Sequence, residues 1–348
     1  MRYFLIFLSL VFSSTTFLGC DTKNALEKDI DFSTKLIHIE RFDLDIAQLN
    51  ETNVVLKIAA LQKKYGIFFD DYCKNLYNPV ISSDTSYKGV LLPYLKDSIT
   101  QVINKDIIKT IPNLSNEEQK LNEGFSYLKN YYPDVTIPKL YTADLMMSTN
   151  AFDTTLNLYV IDITNYLGSN YSNYKLAGKE DFQLIHTNKE LIPYHVLYDF
   201  GKEKYLPKTP LSTLLDNMIA EGKMLYFLDA MFPKSADTLK IDYTKSQIEW
   251  CEMLEVDMWS FIVEKNYLYS NDANVISNFI NDGPFTIYFH TKESTQDDAP
   301  SRVGAWIGWQ IIKSYAKEHP EIALQELMKN TDSKTILENS GYKPKIKK

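Results

Sequence analysis

Glu221 and Gly222 are the neighbouring residues in this chain whose types most strongly suggest chemistry. They lie in the stretch 211–233, where apolar residues recur at three- and four-residue steps, as on one face of a helix. A carboxylate beside a glycine on a buried helix can supply the third ligand of a hydrolytic zinc ion, when an earlier helix supplies two histidines and a general-base glutamate. The pair therefore predicts a zinc site only if those partners are present.

The histidines that such a site requires do not occur at the required spacing. The chain has five: His38, His186, His195, His290 and His319. No two of them form His-Glu-x-x-His. His195 and Asp199 are four residues apart and could share a helical face, although Pro193 is expected to interrupt a helix there. One histidine beside one carboxylate is typical of a structural hydrogen-bonded pair, because zinc needs at least three protein ligands.

We therefore expect no catalytic residue, no bound metal and no cofactor. The alternative is a metal-dependent peptidase that uses His195, Asp199 and Glu221 as unconventional ligands. Stoichiometric zinc in the protein would decide between these two classes, since a binding protein on an inactive fold has no need of the ion.

Arg302 is the better candidate for a binding residue. It ends a long stretch, 281–302, that contains Gly283, Pro284 and Pro300, and loops of this length are often functional. A guanidinium at the mouth of a cleft commonly pairs with a carboxylate. We expect a cleft that binds a peptide, a partner segment or a cell-wall component without cleaving it, surrounded by Glu221, Tyr226, Trp259 and Arg302.

Two helices must position these residues. The first, at 211–233, would be about six turns long and would carry Gly222 near the middle of its apolar face, where another backbone could approach. Asp229 falls near the centre of the same face, where an unpaired carboxylate is costly to bury. The second helix, at 303–317 and capped by Ser301, carries two glycines four residues apart, a spacing that permits close helix contact.

The remaining pattern predicts a mostly helical α+β fold with a small sheet. Alternation and β-branched or aromatic content predict strands at 37–42, 135–145 and 156–163. A helix is expected from about 52 to 64, and two more should begin at the capping boxes Ser115/Glu118 and Thr244/Gln247. Residues 66–84 mix aromatic and turn residues and give no clear assignment.

Residues 1–19 have the features of a lipoprotein signal peptide. Arg2 precedes a short apolar run, and Leu18-Gly19-Cys20 resembles the bacterial lipobox. Cleavage before Cys20 would allow acylation of that residue, for example with palmitate, and several acyl chains on one cysteine anchor a protein firmly. Residues 20–35 would then be a lipidated tether and 36–348 a globular domain. The alternative is a plain signal peptide with a fortuitous cysteine.

Charge and cysteine content narrow the class of protein further. Cleavage removes Arg2 and no acid, so the mature chain has 36 basic and 45 acidic residues and a net charge of −9. This balance, without a basic patch, excludes nucleic acid as a partner. Cys73 and Cys251 could pair in an oxidising periplasm, but two separate buried thiols are equally compatible with the sequence.

Several segments together resemble the gliding-motility lipoprotein GldB family of Bacteroidetes. They follow one another through most of the mature chain: NYLGSNYSNY, MIAEGKMLYFLDAMFP, YTKSQIEWCEMLEVDMWSFI, RVGAWIGWQII and SGYKPK. That family is itself similar to zinc peptidases with a gluzincin-like fold, in which His-Glu-x-x-His and a later Glu-Gly hold the metal. The resemblance implies a gluzincin-like scaffold that keeps Glu221-Gly222 without the two histidines, and therefore an inactive peptidase fold.

The resemblance also implies a role. It is that of a membrane-anchored lipoprotein of the gliding motility apparatus, acting as a non-catalytic binding or scaffolding component. The implied partners are the membrane, through the N-terminal lipid, and other proteins of gliding motility or of type IX secretion. The surface-export signal of this phylum is an acidic run directly after the lipidated cysteine, whereas Cys20 is followed by Asp21, Thr22 and Lys23. We therefore predict an outer-membrane protein whose body faces the periplasm.

Overall fold

The fold is given by a computed structural model that describes residues 26–76, 78–79, 83–286 and 300–344. The predicted signal peptide and the lipidation site Cys20 lie outside the described residues, as does His290. The helices are α1 Phe42–Ala47, α2 Val54–Tyr65, α3 Ile67–Leu76, α4 Tyr87–Lys96, α5 Ser98–Thr110, α6 Ser115–Tyr131, α7 Asn173–Leu176, α8 Ile192–Tyr205, α9 Leu214–Met231, α10 Asp237–Ile241, α11 Lys245–Glu264, α12 Ala273–Ile280, α13 Val303–Glu318, α14 Leu324–Lys329 and α15 Ser333–Asn339. Short 3₁₀ segments occupy Ile163–Tyr166, Asp181–Thr187 and Lys189–Leu191.

A four-stranded sheet forms the other part of the fold. Its strands are β1 Ile39–Arg41, β2 Lys139–Ala143, β3 Ala151–Asp153 and β4 Leu158–Asp162. They are ordered β1-β2-β4-β3; β1 and β2 pair in parallel, as do β2 and β4, and β3 is antiparallel to β4. The chain is thus mostly helical with a small sheet, as an α+β fold requires.

Both faces of the sheet are covered by helices. Tyr159 and Ile161 of β4 join the core formed with α6, α8 and α9, whereas Leu158 and Val160 join the core of α1 to α4. Every residue of β4 is therefore buried, in keeping with the burial that parallel pairing requires. A third core cluster lies between α9, α11, α12 and α13. Helix α9 contributes to two of the three clusters and organises the molecule.

Helices α9 and α13 cross with almost no space between their backbones. A Cβ atom added at Gly222 would overlap the backbone of Gly308, and one added at Gly308 would overlap the backbone of Met218. Gly304 lies close to the backbone of Phe279, although less closely than the other two. The expected close approach at Gly222, and the helix contact expected from the second glycine pair, are confirmed.

Side-chain caps explain where several helices begin. Thr244 and Gln247 form the predicted capping box of α11, and Thr213 forms one for α9. The box predicted at Ser115 is wrong, because α6 begins at Ser115 itself and Glu118 instead accepts the backbone N–H of Ile39 at 2.8 Å.

Three other expectations about helix limits are corrected. Ser301 does not cap α13: its hydroxyl donates to Asp282, and Arg302 occupies the N-cap position in a left-handed conformation with φ of 58°. Pro193 lies in the first turn of α8, where a missing N–H is harmless, so it does not interrupt the helix. The long core helix is shorter than expected, since α9 covers 18 residues.

Two further sequence questions are answered by burial. Cys73 and Cys251 are free thiols, each buried in a different core cluster, so they do not pair. Within the described part of the chain, no helix is both long enough and apolar enough to cross a bilayer.

Candidate functional site

An open polar cavity of about 670 Å³ lies on one side of the sheet. We call it the polar cavity; its walls are residues 148–150, Tyr166, His186 and the face of α8 that carries His195, Tyr198, Asp199 and Lys202. These four residues of α8 recur at three- and four-residue steps, so one helical face points into the cavity. A smaller cavity of about 190 Å³ adjoins it, shares His195 and Tyr198, and is also lined by Asp242 and Arg302.

His195 has no free ring nitrogen. Its Nε2 donates to Asp242 Oδ2 at 2.7 Å, and its Nδ1 lies 2.8 Å from the hydroxyl of Tyr166. That hydroxyl also accepts a hydrogen bond from Asn150 at 2.8 Å, which fixes its orientation. To bind a metal, Nδ1 would have to give up its hydrogen bond with Tyr166. In the structure, His195 joins α8 to the two segments that carry Tyr166 and Asp242.

Asp242 is the centre of a charged cluster. Its Oδ2 also accepts from Nδ1 of His186 at 3.2 Å, and Nε2 of His186 lies 3.2 Å from Asp282. Asp242 has φ of 59°, a left-handed conformation that aspartate tolerates, and it lies in the connection between α10 and α11. Two imidazoles therefore share one carboxylate beneath the polar cavity.

This arrangement changes the pKa values of its members. Burial alone would raise the pKa of Asp242, but the adjacent His195 and His186 hold it well below its usual range. Burial likewise opposes protonation of His186, yet its bonds to Asp242 and Asp282 raise the pKa of His186 to about 9. His186 is therefore a cation at neutral pH, and it lies in the wall of the polar cavity.

Asp199 is held by a residue of the sheet. It accepts a hydrogen bond from the hydroxyl of Tyr159, a fully buried residue of β4. Burial raises the pKa of the Asp199 carboxyl and raises that of the Tyr159 hydroxyl well above its usual range. The hydrogen bond joins α8 to the sheet and occupies an oxygen of the carboxylate that α8 offers to the cavity.

Glu221 forms a third, separate contact. Its Oε2 accepts from the hydroxyl of Tyr198 at 2.6 Å and lies 3.9 Å from Arg302, while its Oε1 lies 3.5 Å from Lys202. The guanidinium of Arg302 also donates to the carbonyl of Ile241 at 3.3 Å. Burial by itself lowers the pKa of Arg302, but Glu221 and the other nearby acidic groups raise it above its usual value, so this is a charged pair.

The structure brings together two of the four residues expected around a binding cleft, Glu221 and Arg302. Tyr226 is partly buried and packs against two of the core clusters. Trp259 packs edge to face with Tyr342, with ring centroids 5.2 Å apart. Neither Tyr226 nor Trp259 lines the polar cavity or the smaller cavity beside it.

The sequence pattern missed most of the charged cluster. Tyr166, His186, Asp242 and Asp282 come from separate connections between elements, and no fixed spacing relates them to His195. Only Asp242 could have been singled out from the sequence. It lies in the short connection before the Thr244 capping box, and aspartate is one of the residues that tolerate the left-handed conformation of a tight turn.

Two buried polar atoms around these cavities have no hydrogen-bond partner among the described residues: Oδ1 of Asn165 and Oδ1 of Asp242. Asn165 lines the polar cavity, and Asp242 lines the smaller one. Buried polar atoms are costly when they are left unpaired, so their position favours a polar occupant.

The wall of the polar cavity includes a strained loop. Met146 and Met147 both have positive φ, 60° and 58°, a conformation that costs about 1–3 kcal/mol for each such residue. Two hydrogen bonds hold this backbone conformation: the N–H of Met146 donates to Asp144, and the N–H of Met147 donates to Thr164. The loop thereby presents residues 148–150 to the cavity in one fixed position.

No group of three or more histidine, cysteine, aspartate or glutamate side chains in the described residues is arranged to hold a metal ion. His195, Asp199 and Glu221 each point to a different protein partner. Together these side chains can orient the helices and bind a polar group.

Comparison with known proteins assigns the family. The family model described as "Gliding motility protein GldB" matches residues 23–344, nearly the whole chain. No curated protein and no solved structure matches the chain. Because the match covers far more than half of the sequence, the chain belongs to the gliding motility protein GldB family.

Proposed function

We propose that this chain is a membrane-anchored, non-catalytic component of the gliding apparatus, and that its polar cavity binds a segment of a partner protein of that apparatus or of the associated secretion machinery. Family membership supports the association with gliding motility. The non-catalytic role, the anchor and the partner are inferred from the chemistry of the site and from the sequence of the N-terminus.

The observation that carries the proposal is the engagement of the three possible metal ligands with other residues. Tyr166 and Asp242 occupy both nitrogens of His195, as described above. Asp199 accepts a hydrogen bond from the buried Tyr159, and Glu221 accepts one from the partly buried Tyr198. Using any of the three side chains as a metal ligand would break a partly buried hydrogen bond, which costs free energy. The same contacts make the cavity rigid, and a rigid polar cavity suits binding.

The size and lining of the polar cavity suit a peptide segment. At about 670 Å³ it falls within the range of ordinary ligand sites. Its rim carries Lys179, Lys202 and Lys208, and His186 adds a positive charge to its wall. Asp199, Glu203 and Asp282 are the acidic residues in the lining. An extended segment with a carboxylate and several amide groups could use both these cations and the unpaired polar atoms.

A substitution that fills the cavity tests the binding role. Thr149 is exposed and lines the cavity, so Thr149→Trp should obstruct it without disturbing the core. Thr154 is also exposed, in the turn between β3 and β4, and lines none of the cavities described here, which makes Thr154→Trp the matched control. In a gliding bacterium that lacks the gene, we expect the control to restore colony spreading and Thr149→Trp to fail at equal protein level. Full spreading with Thr149→Trp would refute a role for the cavity.

Metal content tests the non-catalytic role separately. We expect the mature protein, dialysed against zinc and analysed by mass spectrometry, to retain less than one zinc per chain and to hydrolyse no casein. Stoichiometric zinc that is lost in His195→Ala would instead establish the metal-dependent peptidase. The unchanged ion content of a His38→Ala control would show that the loss is specific to His195.

The membrane anchor requires its own test. Labelling with a palmitate analogue should tag the chain and should fail in Cys20→Ala. If the body faces the periplasm, an impermeant protease should leave it intact on whole cells and should digest it after the outer membrane is permeabilised. Digestion on whole cells would place the body on the cell surface.

A further inference from the structure

A second cavity, of about 420 Å³, lies between α4, α5 and the loop that follows β2. We call it the apolar cavity. Val90 and Pro93 of α4, Ile103 of α5 and Met147 of the loop supply much of its wall. It shares one loop with the polar cavity: Met146 and Met147 line the apolar cavity, and residues 148–150 line the polar one.

The mouth of the apolar cavity is itself apolar. Ile99 and Met146 both line it, and they are 69% and 64% exposed to solvent. Isolated apolar residues are common on protein surfaces, but apolar residues that surround the entrance to an apolar cavity are typical of a binding site. A bound group could therefore bury these rim residues together with the interior.

The charged residues that line the apolar cavity are acidic. Asp97 and Asp144 both contribute to it, and no lysine, arginine or histidine is present among the described residues of the wall. Asp144 is buried and accepts from the hydroxyl of Tyr94 at 2.7 Å, which holds the carboxylate in place. Asp97 is exposed at the start of α5. An apolar group with an adjacent cation would therefore complement the cavity, whereas an anion would be repelled.

The loop that forms part of the wall of the apolar cavity is preorganised. The consecutive left-handed residues Met146 and Met147 are fixed by hydrogen bonds to Asp144 and Thr164, and the N–H of Leu145 donates to the buried Asp162 at 3.2 Å. Strained backbone that its surroundings hold in place is concentrated at ligand sites. A site that is already shaped loses less entropy when it binds.

We propose that the apolar cavity is a docking site for a partner-protein segment that inserts one large aliphatic or aromatic side chain and places a neighbouring lysine or arginine beside Asp97 and Asp144. The site is independent of the polar cavity and of its proposed occupant. One loop contributes residues to both cavities, since Met147 lines the apolar cavity and Ser148 lines the polar one.

Methionine methyl groups report on the site directly. The full-length mature protein, labelled with ¹³C at its methionine methyls and held in lipid nanodiscs, would be titrated with two blocked peptides, Gly-Lys-Leu-Lys-Gly and Gly-Glu-Leu-Glu-Gly. Met146→Leu and Met147→Leu identify the two signals. We expect saturable shifts of both signals with the lysine peptide and a dissociation constant at least about fivefold lower than with the glutamate peptide.

Three variants separate docking from general effects. Ile99→Lys should abolish the shifts, because it adds a cation to the apolar rim. Asp97→Asn should reduce the preference for the lysine peptide by at least about twofold, yet it should fold normally because asparagine is as good an N-cap as aspartate. Leu56→Lys changes an exposed leucine of α2 outside the cavity and should leave binding unchanged.

Five results would overturn the proposal. The first four are the absence of shifts, equal affinity for both peptides, shifts that survive Ile99→Lys, and tighter binding of dodecanoate, titrated in the same way, than of the lysine peptide. The last would assign the cavity to an anionic lipid chain instead of a protein. Shifts that depend on protein concentration without any peptide would likewise replace the partner with a second copy of this chain.

Discussion

Replacing His186 with glutamine should change how the stability of the protein depends on pH. The pKa of His186 is about 9 in the folded chain, against 6.5 for an unperturbed histidine. One pKa unit corresponds to about 1.36 kcal/mol, so the protonated ring favours the folded state by about 3 kcal/mol below pH 6.5. That stabilisation is lost as the pH rises through 9, because the proton leaves the folded state too. Between pH 7 and 9 the wild-type protein should lose about 2 kcal/mol from this source.

The variant should lack this loss. Glutamine can donate a hydrogen bond to Asp242 at any pH but carries no charge, so its stability should depend on pH only through the other titrating groups. The free energy of unfolding would be measured by urea denaturation at intervals from pH 6 to 10, and the variant curve subtracted from the wild-type curve. His38→Gln, at a histidine whose side chain is 61% exposed, controls for removal of an imidazole elsewhere on the surface.

The difference between the two curves shows whether His186 carries a proton in the folded protein. A fall of about 2 kcal/mol between pH 7 and 9, which levels off above pH 9, would establish that His186 is a cation in the folded protein at neutral pH. Parallel curves for the wild type and His186→Gln would show that the Asp242 cluster does not hold a proton on this ring. The positive charge assigned to the wall of the polar cavity would then be wrong.

Three further substitutions test the packing around α9, each by urea denaturation. Lys223→Met should stabilise the protein by about 1–2 kcal/mol at pH 7 and by less as the pH rises above 8, because burial lowers the pKa of Lys223 to about 8 and disfavours its charge. Gly308→Ala should destabilise by about 2–4 kcal/mol, because its methyl group would overlap the backbone of Met218, whereas Gly283→Ala has open space and should be nearly neutral. Asp229→Asn should cost about 3 kcal/mol, since it leaves a buried lysine without its main anion.

Local signals in the sequence predicted much of the fold because they depend on neighbouring residues. Thr244 and Gln247 are three residues apart, and their reciprocal bonds to the backbone form before any tertiary contact is needed. Ser115 and Glu118 have equivalent side chains at the same spacing, yet Glu118 bonds to the backbone of Ile39, 79 residues away. A contact between residues so far apart in the chain cannot be predicted from the local sequence pattern. Residues 66–84 gave no clear assignment, although Phe69, Tyr72 and Cys73 of α3 recur at helical spacing and share one buried face.

The candidate site likewise contains residues that the sequence pattern identified and residues that it did not. Residue type and helical spacing identified His195, Asp199 and Glu221, because they lie on two helices with regular periodicity. The same spacing could not show that their hydrogen-bonding positions are already occupied. Asp242 and Tyr166, which hold His195, come from connections whose positions are set by packing of the whole chain. Distinguishing a ligand from a structural residue therefore required the tertiary structure.

The Glu221-Gly222 pair, which suggests a metal site in the sequence, has a sufficient explanation in helix packing. Gly222 allows the backbone of α13 to approach α9 at Gly308, and this approach brings Arg302, at the start of α13, close to α9. A guanidinium in that position is buried, and a buried charge is strongly destabilising unless an opposite charge lies near it. Glu221 supplies that charge and also accepts from Tyr198, so one carboxylate joins α8, α9 and α13. The glycine creates the close contact, and the acid compensates the cation that the contact buries.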